Sequence, residues 1–174
     1  MTQTVPLWLT ILSAVGALLI GLLGRFTLSK KDKKDLEQKN YENSMKIIES
    51  HESSYKTYTQ ALSTYSDSDD PSFDDFMKLA SAGDLYFHHA GMMCNAILSG
   101  KVDESIRDNT WLPKIKLIFE RLLPAHYEVL QGQATKKGYP YTGKMRRQDH
   151  ESIYAVVEKF SNSPAWQRRH EGPR

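Results

Sequence analysis

A single cysteine, Cys94, stands in 174 residues, so no disulfide can form within the chain, and such usage fits a reducing compartment. No glycine or proline falls between residues 29 and 65, which leaves that stretch without the usual helix breakers. No segment alternates apolar and polar residues for long enough to build a sheet, and no internal repeat is found. CxxC and HExxH metal patterns, a Walker loop, a dinucleotide fingerprint and a G-x-S-x-G elbow are all missing. The familiar signatures of zinc, nucleotide and hydrolase chemistry are therefore absent. Charge is missing too, from one place: nothing between Val5 and Gly24 is ionisable.

What is there is segregated. Residues 1–34 carry five basic and one acidic group, residues 35–135 nine basic and sixteen acidic, and residues 136–174 nine basic and four acidic. The formal net charge of +2 conceals this division.

Twenty helical residues, at about 1.5 Å each, span roughly 30 Å, the thickness of a bilayer's hydrocarbon core. Pro6 sits where a first helical turn tolerates it, and Trp8 where an interfacial aromatic belongs. A cleaved signal peptide would need a basic start, a shorter run and a small-x-small site; "MTQT" and "IGLLGRFTLS" provide none of these. The reading is a retained anchor. Arg25, Lys30, Lys31, Lys33 and Lys34 flank only its C-terminal end, so the positive-inside rule places the N-terminus outside and the remainder in the cytoplasm, at the inner (plasma) membrane. These cations can also meet anionic headgroups. Ser13, Ala17 and Gly21 recur every four residues and form a small-residue stripe on which two membrane helices could pack.

Beyond the anchor (1–28) the pattern is helical throughout. Residues 29–65 place Tyr41, Met45, Ile48, His51, Tyr55, Tyr58, Leu62 and Tyr65 at spacings of mostly three and four, an amphipathic face too poor in Leu, Ile and Val for a coiled coil. "SDSDDPSFDD" (66–75) is an acidic break without the order of a calcium loop, and Ser72 with Asp75 resembles a capping box. A helical bundle over 66–160 follows. Phe73, Phe76, Met77 and Ala80 share one face before Gly83, and Gly100 supplies a stop. Leu112, Ile115, Phe119 and Leu122 share another face, in a helix that Pro124 should kink or divide. A final helix over 149–160 carries Ile153, Val156, Val157 and Phe160, and 161–174 reads as a short turn with a basic tail. The fold class is all-α: one N-terminal membrane helix followed by a cytoplasmic bundle.

The order of anchor, basic junction, amphipathic helix, "LYFHHAGMMCNAILSGKVDESI" and "WLPKIKLIFERLLP" resembles small bacterial membrane-anchored helical proteins grouped as a domain of unknown function. The resemblance covers about two-thirds of the chain and rests on helix order rather than on an invariant motif. It implies a single anchored bacterial domain acting in signalling, in conflict with phage or in an operon-encoded complex, and it carries over no catalytic residues.

Three constellations could carry chemistry. His88, His89, Met92, Met93 and Cys94 are all soft or borderline ligands, but methionine and cysteine on a helix ordinarily fill a core, and no metal or cofactor is expected. "RLLPAH" spells Arg121-x4-His126, a spacing that resembles the motif of HEPN-type helical ribonucleases, in which Arg would steady phosphate charge and His transfer a proton. Leu122 and Pro124 depart from that motif, where a polar residue and an unbroken helix are usual. "KKGYPYTGKMRR" interleaves Lys136, Lys137, Lys144, Arg146 and Arg147 with Tyr139 and Tyr141. Such a segment can be a solvated loop, can meet lipid phosphates or an acidic partner, or can bind single-stranded nucleic acid. Lipid or protein is preferred to nucleic acid. The expected function is therefore a non-enzymatic interaction or regulatory module at the membrane, with a protein partner or a second copy; the alternative is a tethered ribonuclease or toxin using Arg121 and His126.

Overall fold

In a computed structural model, the backbone is described from residue 7 to 167 and the side chains from 29 to 167. Over these residues the chain is all-helical, as its periodicity predicts. It divides into two compact units, 1–39 and 40–174. In the first, the backbone is helical from Leu7, the side chains of residues 29–38 are exposed all round, and Lys33 lies 4.0 Å from Glu37. Among the described residues no helix is long and apolar enough to cross a membrane. The charge-free run of 5–24, with Ser13, Ala17, Gly21 and Arg25, lies outside the residues whose side chains are described.

The second unit begins with the C-terminal part of α1 (Leu7–Asp67). Its enclosed side chains are Ser44, His51, Ser54, Tyr58 and Tyr65, four of them at a strict interval of seven. This corrects the expected face. Tyr41 and Tyr55 are 49% and 47% exposed, and Leu62 is also on the outside. The space behind α1 is filled from the other side by Tyr86, which stacks on Tyr58 with ring centroids 5.6 Å apart and reaches His51 at 5.0 Å. Small and polar residues on α1 are enough to close against it.

α2 (Phe73–Leu98) starts with the expected capping box. The Asp75 N–H donates to the Ser72 hydroxyl at 3.2 Å and the Ser72 N–H donates to the Asp75 carboxylate at 3.1 Å. Ser72→Ala removes one half of this exchange and should cost about 1 kcal/mol in chemical denaturation, with an unchanged m-value. The helix runs unbroken through Gly83 and ends in a Schellman turn: Gly100 adopts φ 67, its N–H bonds the Ile97 carbonyl, and the Lys101 N–H bonds that of Ala96. Of the expected face, Phe76 and Ala80 are buried while Phe73 and Met77 remain largely exposed.

Short α3 (Glu104–Ile106), α4 (Leu112–Leu117) and α5 (Leu123–Lys137) follow. Two π turns, Arg107–Trp111 and Ile118–Leu122, join them. Each precedes a proline, Pro113 or Pro124, in the first turn of the next helix. Proline has no N–H and crowds the carbonyl four residues back; a wider turn, with Leu112 and Leu123 each bonding a carbonyl five residues back, relieves both problems. Pro124 thus divides the helix through a π turn. Gly138, at φ 71, ends α5. A loop and a 3-10 turn (Arg147–His150) then lead into α6 (Glu151–Phe160) and α7 (Pro164–Gln167).

The core gathers Phe76, Leu79, Phe87, Met93, Trp111, Leu112, Ile115, Ile118, Leu123, Leu130, Ile153 and Val156 from α2, α4, α5, α6 and the π turns. The start of the expected tail belongs to this core, because Trp166 is buried and its carbonyl accepts from Lys116 at 3.0 Å.

Candidate functional site

His126 and Arg121 have opposite surroundings. Arg121 is exposed on the second π turn, whereas His126, on α5, is 3% exposed. Its Nδ1 shares a hydrogen bond with the Tyr58 hydroxyl at 3.0 Å, and its Nε2 is buried without a partner. Phe87 and Tyr127 flank the ring, which lies against the backbone of Gly83. Burial, followed by the neighbouring His150, lowers its pKa to about 4. The ring is enclosed where α1, α2 and α5 meet, whereas Arg121 stands on the outside.

From His126 a chain of polar aromatic groups leads outward. Tyr127 bonds His150 Nε2 at 3.2 Å, and Asp84, Asp149 and Tyr141 surround that pair. Burial lowers the pKa of His150, against the pull of both aspartates, and raises that of Asp84. Tyr127 is raised to about 12, chiefly by burial. An imidazole held below its usual range therefore stands near a carboxyl held above its own. His150 also lines a groove of about 470 Å³ between α2 and α6, together with Phe87, His88, Met92, Asn95 and Ser152. Asp149 and His150 read only as a helix start in the sequence. Their one available signal was proximity to Asp84, which is a property of the fold.

The cluster of His88, His89, Met92, Met93 and Cys94 is split by the helix period. Met93 and Cys94 are buried, and burial pushes the Cys94 thiol up to about 12. His88 and Met92 are exposed along the groove, and His89 Nε2 lies 3.4 Å from the Ser50 hydroxyl. Among the described residues no group of three His, Cys, Asp or Glu side chains could hold a metal ion.

The segment 136–147 is partly tied down. Tyr139 and Tyr141 turn inward onto Phe76, at 5.2 and 5.3 Å, and the Tyr139 hydroxyl donates to the Pro71 carbonyl. Neither ring stands free to stack on a base. Lys137 pairs with Asp70, which holds that carboxyl below its usual range. Arg147 pairs with Glu151 and Glu158 and covers the Tyr154 ring. These partners come from outside the segment, from the acidic break and α6. Among the described residues Lys136, Lys144 and Arg146 are exposed without an ion pair; Lys136 and Lys144 border an open depression of about 820 Å³. Lys30, Lys31, Lys33 and Lys34 are exposed in the first unit.

No family model, no curated protein and no solved structure matches this chain.

Proposed function

We propose that the chain is a single-pass, membrane-anchored helical module whose work is interaction rather than catalysis. The carrying observation is a division of labour along the sequence. Among the described residues the hydrophobic core is built from Tyr58 onward with Ile47 and Ile48 packed against it, and in the sequence the uncharged run of 5–24 ends at a cluster of basic residues. An uncharged apolar run of that length is accounted for by a bilayer. In this reading the N-terminus is outside, the helical unit is cytoplasmic, and Ser13, Ala17 and Gly21 allow a second span to approach. Arg25, Lys30, Lys31, Lys33 and Lys34 lie at the headgroups. Lys136, Lys144 and Arg146, exposed cations of the helical unit without an ion pair among the described residues, are its contact with anionic lipid or an acidic protein. The resemblance to anchored bacterial proteins of unknown function agrees with this assignment.

A fusion of the full chain to a reporter active only in the periplasm tests it. The fusion is expected to fractionate with membranes and stay silent when the reporter is C-terminal. Recovery in the soluble fraction defeats the anchor, and an active C-terminal reporter defeats the orientation.

A further inference from the structure

Within the second unit, residues 40–67 of α1 close against their neighbours through a polar seam. The side chains they bury are two serines, one histidine and two tyrosines, whereas Ile47, Ile48 and Ala61 are only partly covered. α2, α4, α5 and α6 meet instead through Phe76, Phe87, Leu112, Ile115, Leu123 and Ile153. The seam is also incompletely satisfied: both ring nitrogens of His51, Nε2 of His126 and the Tyr65 hydroxyl are buried without a partner. Each such group costs roughly 1–3 kcal/mol relative to water, and a permanent seam would be expected to fill with aliphatic side chains. Specific polar contacts hold the helix. Tyr58 bonds His126, the Asp103 N–H donates to the Ser44 hydroxyl at 3.2 Å, Asn43 donates to the Lys101 carbonyl at 2.8 Å, and Lys114 bridges to Glu52 at 3.3 Å.

We propose that this seam is an acid-operated release: protonation of His51 and His126 detaches residues 40–67 from α2 and α5 while the α2–α6 core stays folded. His51 is faced by Tyr86 and His89 from α2, by Lys114 from α4 and by Glu52 on its own helix. Glu52 is the one acid among them and is already bridged to Lys114. His126 is faced by Tyr58 from α1, Phe87 from α2, His150 from the 3-10 turn and Tyr127 on α5. Asp84 and Asp149 flank His150, with Tyr141 close by, rather than His126. Neither ring, once charged, finds a free carboxylate. Burial keeps both neutral down to about pH 4 while the seam is closed. Departure of α1 hydrates both together, because His51 rides on that helix and Tyr58 covers His126. The aliphatic core need not open. The device belongs to the helical unit and goes beyond the membrane assignment.

The two cysteine positions needed for a test are at hand. Ser54 is buried on the seam, and native Cys94 is buried in the core. In full-length Ser54→Cys protein in mild detergent, dipyridyl disulfide is applied across the pH range 7 to about 4. Labelling at position 54 is expected to rise roughly tenfold or more on acidification while Cys94 stays protected. Simultaneous labelling of both, or of neither, overturns the proposal. Adding His51→Phe and His126→Asn, which keep ring packing and a neutral acceptor, should abolish the acid response, and its persistence is equally fatal. Should that combination expose Cys94 at neutral pH, each single substitution must lower the pH midpoint of release; an unmoved midpoint in both rejects the device.

Discussion

Gly83→Ala is expected to lower the stability of the helical unit by about 3 kcal/mol and its Tm by roughly 10 °C, against the usual rule that alanine improves a helix. A methyl group at this position would lie 2.1 Å from His126 Cε1, 2.5 Å from Nε2 and 2.8 Å from Nδ1. The ring cannot step aside as a flexible side chain would. Tyr58 bonds one edge, while Phe87 and Tyr127 pack its faces and border. Relief therefore requires α2 and α5 to separate or the Tyr58 bond to break. Gly132 provides the control, being helical with nothing within 4 Å of the corresponding methyl position. Gly132→Ala should be neutral or stabilising by up to about 1 kcal/mol. Thermal and urea unfolding of both variants decide the matter. A Gly83→Ala protein as stable as the parent would mean that α2 and α5 do not approach this closely, and His126→Ala in that background should restore part of the loss.

Stability should fall steeply between about pH 6.5 and pH 4, by roughly 2 kcal/mol for each of His51 and His126 on reaching pH 5. The direction follows from proton counts. Both rings have folded pKa values near 4, lowered mainly by burial, with Lys114 adding to the effect at His51 and His150 at His126. The unfolded chain then binds more protons than the folded one, so the contribution is complete above the unfolded value and is lost as pH falls toward the folded one. His150, lowered in the same way, adds to the trend. Asp84 opposes it, because a carboxyl of raised pKa favours the folded state in acid and loses that contribution as pH rises. The two histidines together, about 4 kcal/mol, approach the lower end of the stability of an ordinary domain. Urea unfolding at pH 7, 6 and 5 measures the slope, and His126→Asn should flatten it by about half if the two rings contribute equally. A parent protein equally stable at pH 7 and pH 5 would show that water reaches both rings in the folded state.

Features made by near neighbours could be read directly along the chain. The capping box needs only Ser72 and Asp75, the Schellman turn only the residues from Ala96 to Lys101, and α6 only the spacing of Ile153, Val156 and Phe160. The break at Pro124 was also visible, although its resolution by a π turn rather than by chain reversal was not. Proline excludes the normal bond without dictating which wider turn replaces it. The inner face of α1 was misjudged because hydrophobic periodicity ranks Tyr41, Tyr55 and Leu62 above Ser44 and Ser54. The structure reverses that order by filling the space with Tyr86 from another helix.

By itself, then, the sequence determined the helical class, the caps and stops, the segregation of charge and the uncharged run of 5–24, since each depends on residues within a few turns of one another. Tertiary structure decided which polar groups are buried. In the sequence His126 is notable only for its spacing from Arg121, five positions away; in the fold it is bonded to Tyr58, 68 residues away, and lies against Gly83 on the neighbouring helix. Lys137 and Arg147 looked like free cations and instead pair with Asp70 and with Glu151 and Glu158. A side chain's access to water and the charges beside it are set by whatever packs against it. For these residues the deciding neighbours come from other elements, and no local pattern records them.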